Sequence, residues 1–204
     1  MKHLIFGILF YIVVLILTVV ITENLIDREI NKKPLYDIVH MNTIPFPKPY
    51  VPNYLLYFFI LYTIIRWGFV DFKIITLYFL SLAGILLMRL FAFTITQTPP
   101  PRKLDSSWRI DHCKRNILNS FGISFKKMGD SCIDNMFSGH AAHIVVAVTI
   151  ILIYSKYAIE KIVFVLLGLL SLITIVTTRL HYSSDVIIST FISSLFVYFV
   201  SKIL

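Results

Sequence analysis

The sequence predicts an all-α, polytopic membrane protein, built as a bundle of six transmembrane helices. Hydrophobic residues make up 57% of the 204-residue chain and charged residues only 15%, and the mean hydropathy is +0.81. A soluble domain of this size could not bury that much apolar surface. The apolar residues are also gathered into runs of the length that crosses a bilayer. The predicted spans are residues 4–21, 54–70, 74–96, 139–154, 162–178 and 186–204.

These runs are expected to form a single membrane-embedded domain over residues 1–204, because no internal repeat, low-complexity tract or Gly/Ser linker divides the chain. The first run has no small-residue cleavage site before Thr22, which favours a retained span over a signal peptide. Thr22 to Asn53 is a polar connector. Its prolines between Pro45 and Pro52 favour an extended segment over a continuous helix.

The charge pattern excludes some function classes. The formal net charge is +8, but the basic residues are scattered through loops and do not form a helix face with interleaved aromatics. Nucleic-acid binding is therefore not expected, and the positive charge suits anionic headgroups or phosphate. Two cysteines, Cys113 and Cys132, lie in one polar loop, where either a disulfide or two free thiols would be compatible with the sequence.

Arg89 lies inside the third predicted span, roughly 10 Å below the membrane surface at the rise of an α-helix. An arginine facing lipid at the centre of a span costs about 2.5 kcal/mol or more on insertion scales. We therefore expect Arg89 to face an interior partner. The alternative is an arginine that extends to the interface.

With six crossings, the proline-rich connector, the Arg89 end of the third span, His140 and the turn from His181 to Asp185 all fall on one membrane face. Lys and Arg are more numerous on that face than on the other, so the positive-inside rule would make it cytosolic. Basic residues would also collect there if the loops handled phosphate, so this count does not decide the orientation.

Two histidines at this face have neighbours suited to phosphoryl transfer. His181 and Asp185 are four residues apart at the opening of a helix, so the carboxylate can hold one imidazole nitrogen and leave the other as a nucleophile. His140 follows Ser138 and Gly139 at a helix start, where free amides bind phosphate oxygens and the imidazole can exchange a proton. A helix-capping pair and a buried polar histidine are the alternative interpretations.

The other histidines are given no chemical role. His143 is expected to point deeper into an apolar helix, and His3, His40 and His112 are expected at the surface. No metal and no other cofactor is expected, because the sequence lacks carboxylate clusters or Cys/His spacing suited to zinc or magnesium.

The stretch from Cys132 to Ala141, Cys-Ile-Asp-Asn-Met-Phe-Ser-Gly-His-Ala, and the stretch from His181 to Val186, His-Tyr-Ser-Ser-Asp-Val, carry a family resemblance. They resemble the third and fourth motifs of the sphingomyelin synthase family, within the wider type 2 phosphatidic acid phosphatase superfamily. Arg89, with Thr96 and the prolines that follow, is similar to the second motif. The proline-rich first motif is matched only loosely, between Pro45 and Asn53. This sequence departs from the motifs at three positions: Ile133 replaces a glycine, and Ala141 and Ser183 each replace a threonine.

This resemblance implies a minimal catalytic core that transfers phosphocholine from phosphatidylcholine to ceramide, giving sphingomyelin and diacylglycerol. His181, oriented by Asp185, would attack phosphorus, and His140 would serve as acid and then base. Arg89 and the backbone of Ser138 and Gly139 would bind the phosphate oxygens. The same resemblance gives Asp134 and Tyr182 a role in positioning substrate.

The resemblance also implies a multi-pass protein of the Golgi or plasma membrane, with its active site on the lumenal or exoplasmic face. Its partners would be the phospholipid donor and the ceramide acceptor, and a homo-oligomer stays open. A ceramide phosphoethanolamine or inositol phosphorylceramide synthase is an alternative. A lipid phosphate phosphatase is another, although the Lys-x6-Arg-Pro signature and the Ser-Arg before the second histidine that are expected there are both missing. Only Arg179, two residues before His181, is similar to that Ser-Arg. A catalytically silent lipid-binding protein is the third.

Overall fold

The computed structural model describes residues 2–25, 35–46, 51–95, 97–98, 134–135 and 137–204, which form seven helices and one pair of two-residue strands. In chain order they are α1 (Lys2–Leu25), α2 (Ile38–Asn42), α3 (Val51–Gly68), α4 (Phe72–Ile95), β1 (Gln97–Thr98), β2 (Asp134–Asn135), α5 (Gly139–Tyr154), α6 (Ala158–Thr177) and α7 (Ser183–Ile203). The fold is all-helical apart from the short strand pair, as predicted.

The six longer helices lie where the sequence predicted spans. Among the described residues, three segments are long and apolar enough to cross a membrane: Phe72–Ala92 within α4, the whole of α6 and the whole of α7. Apolar stretches in α1 and α5 are shorter, at His3–Thr18 and Gly139–Tyr154. The chain therefore has the composition of a membrane protein, and the number of six crossings stays a prediction.

The connector differs from its prediction in two places. A one-turn helix, α2, interrupts the expected extended segment, and Asp37 caps it by accepting hydrogen bonds from the amides of Val39 and His40. Helix α3 begins at Val51, three residues earlier than predicted. Pro52 does not prevent this, because the first turn of a helix needs no amide donor.

Helix α5 is the centre of the bundle and packs against α3, α4, α6 and α7, while α1 packs on α4. Its face of small and β-branched residues is fully buried. The small side chains Ala141, Ala142 and Ala147 allow the surrounding helices to approach closely. Helices α4 and α7 are in similarly close contact, since a Cβ on Gly84 would lie 2.4 Å from the Phe196 ring.

This packing brings the starts of α3, α5 and α7 and the end of α4 to one end of the bundle. The strand pair lies at the same end. Thr98, in the strand that follows α4, and Asp134, in the strand that precedes α5, are antiparallel partners. The two sequence segments that border residues 99–133 are therefore adjacent. Arg89, His140 and His181, which were predicted to share one membrane face, lie at this one end of the bundle.

At the opposite end of the bundle, Glu160 at the start of α6 joins neighbouring helices. Its carboxylate accepts hydrogen bonds from the Tyr62 hydroxyl at 2.5 Å and the Ser155 hydroxyl at 2.5 Å, and it pairs with the Arg66 Nε at 3.3 Å. These contacts join α3 and the turn between α5 and α6 to the start of α6. We call this group the Glu160 cluster.

Candidate active site

His140 and His181 lie edge to face at the end of the bundle where the starts of α3, α5 and α7 meet. Their ring centroids are 5.9 Å apart and the ring planes are inclined by 60°. Both side chains are buried, with exposed fractions of 6% and 3%. The two histidines, forty-one positions apart in the sequence, form one pair, and this pair defines the candidate site.

The N-terminus of α5 is held against the first turn of α7 by Ser138. The Ser138 hydroxyl caps α5 by accepting from the Ala141 amide at 3.2 Å, and the Ser138 amide donates to the Asp185 carbonyl at 3.3 Å. The Ser189 hydroxyl donates to the Ser138 carbonyl at 2.8 Å. These bonds set the distance between the segment that carries His140 and the segment that carries Asp185.

Asn53, in the first turn of α3, fixes the orientation of His140. The His140 Nε2 lies 2.7 Å from the Asn53 Oδ1, and both side chains are buried. A carbonyl oxygen can only accept, so Nε2 carries a proton and donates it. The other ring nitrogen, Nδ1, is then the atom of His140 that can exchange a proton with a substrate.

Arg89 faces the interior, as expected from its depth in the third predicted span. Its Nε donates to the Phe137 carbonyl at 2.9 Å. Its guanidinium lies against Gly139, where an added Cβ would be 3.4 Å from Nη1. Glycine therefore leaves room for a fixed positive charge beside the N-terminus of α5, an arrangement that favours an anion.

The amides of Gly139 and His140, the first two of α5, donate to no acceptor among the described residues. The next two amides are already bonded, since Ala141 donates to the Ser138 hydroxyl and Ala142 to the Ser138 carbonyl. Two donors therefore remain beside the Arg89 guanidinium. This geometry is suited to binding phosphate oxygens.

Asp185 lies in the first turn of α7 and is 4% exposed. Burial and the nearby Arg89 guanidinium lower the pKa of His181 from its usual value of 6.5 to about 3, although the Asp185 carboxylate acts in the opposite direction. His181 is consequently neutral at physiological pH. A neutral imidazole is the form that can act as a nucleophile.

The connector segment, residues 35–46, holds the turn that carries His181. The Asp37 Oδ2 accepts from the Ser183 amide at 2.6 Å, and the Leu35 amide donates to the Tyr182 hydroxyl at 2.9 Å. Burial alone would raise the pKa of Asp37, but hydrogen bonds from the Ser183 and His40 amides outweigh it and hold the pKa below its usual value. Asp37 is therefore a charged cap shared by α2 and α7.

The expectation that His40 lies at the surface is wrong. Its exposed fraction is 8%, its Nε2 lies 3.1 Å from the Val176 carbonyl, and its ring contacts Tyr182 with centroids 5.8 Å apart. Its own carbonyl accepts from the Arg179 Nη2 at 3.0 Å. Sequence gave no signal for this, because a five-residue helix has no apolar period from which burial could be inferred.

Two residues with left-handed backbone flank the site segments. Phe137, with φ of 53°, precedes the cap of α5, and Arg179, with φ of 57°, precedes His181. Such angles are uncommon outside glycine. Each is held by a bond already described, since Arg89 donates to the Phe137 carbonyl and Arg179 donates to the His40 carbonyl.

His143 and Tyr182 are each held inside the protein. The His143 Nδ1 donates to the Gly139 carbonyl at 2.8 Å, so its Nε2 accepts from the Tyr11 hydroxyl at 2.9 Å. His143 thus points into the bundle, as expected. Tyr182 is buried and its hydroxyl accepts from the Leu35 amide, so in this structure it holds the connector segment.

Other predicted residues are only partly described. The backbone of Asp134 pairs with Thr98 in the strand pair, and its side chain lies outside the described part of the structure. His112 and both cysteines, Cys113 and Cys132, lie outside the described residues. His3 is exposed, as expected. Within the described ranges, no group of three His, Cys, Asp or Glu residues is arranged to hold a metal ion.

Comparison with known protein families bears on this site. Residues 131–202 match the family model described as PAP2 superfamily C-terminal. The match supports the type 2 phosphatidic acid phosphatase superfamily. It covers less than half of the chain but includes His140, His181 and Asp185. Members of this superfamily are generally phosphatases or phosphotransferases, which supports an enzyme that acts on lipid phosphates. No curated protein matches the chain.

Proposed function

We propose that the chain is a sphingomyelin synthase-like phosphotransferase, which moves phosphocholine from phosphatidylcholine to ceramide. The observation that carries this proposal is the buried, edge-to-face pair of His140 and His181 beside the Arg89 guanidinium. One neutral imidazole and one imidazole able to exchange a proton are what a two-step transfer needs. The motif resemblance around the same residues supports the choice of lipid.

In the first step, the neutral His181 attacks the phosphorus of the donor lipid. The bond from phosphorus to the diacylglycerol oxygen breaks as the bond from phosphorus to the imidazole nitrogen forms. His140, as the imidazolium favoured by a bound phosphodiester anion, gives its Nδ1 proton to the leaving alkoxide. Diacylglycerol departs and phosphocholine remains on His181.

In the second step, His140 is neutral and acts as a base. Its Nδ1 takes the proton from the primary hydroxyl of ceramide, whose oxygen attacks the same phosphorus. The bond to His181 breaks and sphingomyelin is released. His140 ends as the imidazolium with which the cycle began, so atoms and protons balance over the two steps.

The surroundings of the pair favour the charged transition states. The Arg89 guanidinium and the amides of Gly139 and His140 lie together at the start of α5. In our proposal they bind the equatorial oxygens of the transferring phosphoryl group, where fixed charges and dipoles often contribute most to a rate. Asp185 restrains His181 and stabilises the charge that it gains after attack. Asp134 and Tyr182 are proposed to position substrate.

We place the active face on the lumenal or exoplasmic side of the Golgi or plasma membrane, as the family resemblance implies. A protease-sensitive tag added at the C-terminus, beyond α7, tests this orientation in cells with intact membranes. Protection of the tag from external protease, with digestion after permeabilisation, supports the proposal. Digestion from outside overturns the orientation without bearing on the chemistry.

The activity is tested in proteoliposomes containing fluorescent ceramide and one donor at a time: phosphatidylcholine, phosphatidylethanolamine or phosphatidylinositol. We expect fluorescent sphingomyelin with phosphatidylcholine and none with the His181→Ala variant. The matched control is His3→Ala, which removes an exposed histidine and should leave the rate unchanged. Product from another donor would contradict the choice of choline as the transferred headgroup. Release of phosphate from phosphatidic acid, without any headgroup transfer to ceramide, would identify a phosphatase.

A further inference from the structure

A groove of about 350 Å³ opens between α6 and α7, beneath α2. Six of the residues that line it are Val39, Val176, Thr177, Val186, Ile187 and Thr190. The two threonine hydroxyls donate to carbonyls of their own helices, Thr177 to Ile173 and Thr190 to Val186. The groove therefore offers an apolar surface to whatever occupies it.

The groove exists because α6 and α7 both pack chiefly on α5 and only lightly on each other. They are joined at their upper ends by the turn that carries His181. Val186 and Val39 both line the groove. Val186 directly follows Asp185 in the sequence, and Val39 directly precedes His40. The upper end of the groove and the histidine pair are thus bordered by the same segments.

The position of the groove indicates an occupant from the bilayer. Helices α6 and α7 are both candidate membrane spans, and most of their surface faces away from the protein. The connector segment above the groove exposes large apolar side chains, namely Leu35, Tyr36, Ile38, Met41 and Ile44. A polar chain segment with outward apolar side chains is suited to the interface between headgroups and hydrocarbon.

We propose that this groove holds one hydrocarbon chain of the lipid whose phosphate lies at the pair of His140 and His181. The inference rests on the proposed function, because it assigns the chain to that substrate. This assignment explains why an apolar groove begins beside a polar phosphate site. The lipid reaches the histidines from within the bilayer, with its headgroup at the start of α5 and one chain between α6 and α7.

The test is photo-crosslinking in proteoliposomes with a phosphatidylcholine that carries a diazirine in one acyl chain. The crosslinked residues are mapped by peptide mass spectrometry, a readout that does not require turnover. We expect several-fold more label on the groove residues than on the outward face lower on α7. Ordinary bilayer lipid would label both faces alike, since contact within a membrane depends on packing and not on a hydrophobic driving force.

A pair of variants isolates the groove. Ile187→Trp fills it, and Leu195→Trp adds the same bulk to the same helix away from it; both parent side chains are 55% exposed. We expect the first variant to reduce the excess of groove label to about that of bulk lipid contact and the second to leave it unchanged. Equal effects of the two variants would overturn the proposal.

Three further results are decisive. Equal labelling of both faces in the unmodified protein would mean that the groove holds only bulk lipid, and groove residues that stay unlabelled while the outward face of α7 is labelled would mean that a second copy covers the groove. Either result overturns the proposal that the groove holds one hydrocarbon chain of the substrate lipid. Groove label in a protein that transfers no headgroup from any donor would defeat the proposed function, while showing that the groove itself selects a lipid chain.

Discussion

The two ends of the helix bundle use polar residues differently. At the Glu160 cluster, one carboxylate accepts from two hydroxyls and pairs with one guanidinium, so its charge is balanced within the protein. At the opposite end, the Arg89 guanidinium lies against Gly139, and His140 and His181 form an edge-to-face pair in which His181 is neutral. The amides of Gly139 and His140 have no acceptor among the described residues there. These donors distinguish the candidate site from the structural cluster.

This comparison explains why an anion suits one end of the bundle only. A phosphate diester brings acceptor oxygens to the Arg89 guanidinium and to two helix amides that have no acceptor among the described residues. The donors at the Glu160 cluster already have the carboxylate as their acceptor. Variants at the two ends should accordingly separate catalysis from stability.

After the complete loss expected from His181→Ala, the largest effect is expected from His140→Ala. Loss of the proposed acid and base should lower the rate of headgroup transfer by about 10²- to 10⁴-fold, measured with fluorescent ceramide in proteoliposomes. The variant should retain the helical circular dichroism of the parent protein. A rate within a few-fold of the parent would remove His140 from the mechanism and end the contrast between the two ends.

The converse is expected at the other end. Glu160→Ala should lower the free energy of unfolding by roughly 2 kcal/mol, because hydrogen bonds to a charged group are lost and their donors remain. Thermal unfolding in detergent measures this, with the exposed Lys156→Ala as control. Headgroup transfer per folded molecule should be unchanged. A catalytic defect in the folded protein would show that the Glu160 cluster does more than join helices.

The pH dependence of stability should come partly from His181. Since its pKa is lowered to about 3 in the folded protein, the unfolded chain binds the proton more tightly. Stability from this residue is complete above the unfolded pKa of about 6.5 and is lost as pH falls toward 3, by at most about 1.4 kcal/mol per pH unit. His181→Asn should flatten that slope in unfolding midpoints between pH 7 and 5. An unchanged slope would contradict the burial of a neutral imidazole.

The smallest effect is expected at Asn53. Asn53→Leu removes the acceptor for the His140 Nε2 proton, and we expect transfer to slow by about threefold to tenfold, the value of one neutral hydrogen bond. Asn53→Asp retains an acceptor oxygen and should recover more of the rate. If the two variants were equally slow, the role of Asn53 would be packing and not orientation of His140.

Much of the histidine end could be predicted from the sequence. Apolar runs gave the helices nearly to the residue at α5, and the parity of the runs brought His140, His181 and Arg89 to one end. The depth of Arg89 in an apolar run was sufficient reason to expect an interior contact, which is the Phe137 carbonyl. These features follow from local composition and from the alternation of direction along the chain.

The partners that orient those groups could not be predicted. Asn53 meets His140 across eighty-seven positions of sequence, and Asp37 meets Ser183 across 146. Nothing local distinguishes Asn53 from other polar residues near prolines, and α2 is too short to show a period. His40 was assigned to the surface for the same reason. Long-range side-chain pairs depend on packing, which a single sequence does not specify.

The most direct test of the central claim is to trap the covalent intermediate on His181. The protein is incubated with phosphatidylcholine carrying a labelled choline headgroup, without ceramide, and is then analysed by mass spectrometry under alkaline conditions that preserve phosphohistidine. We predict phosphocholine on His181, absent in His181→Ala and discharged to sphingomyelin when ceramide is added. A protein that transfers the headgroup with no label on His181, or with label on another residue, would contradict the account.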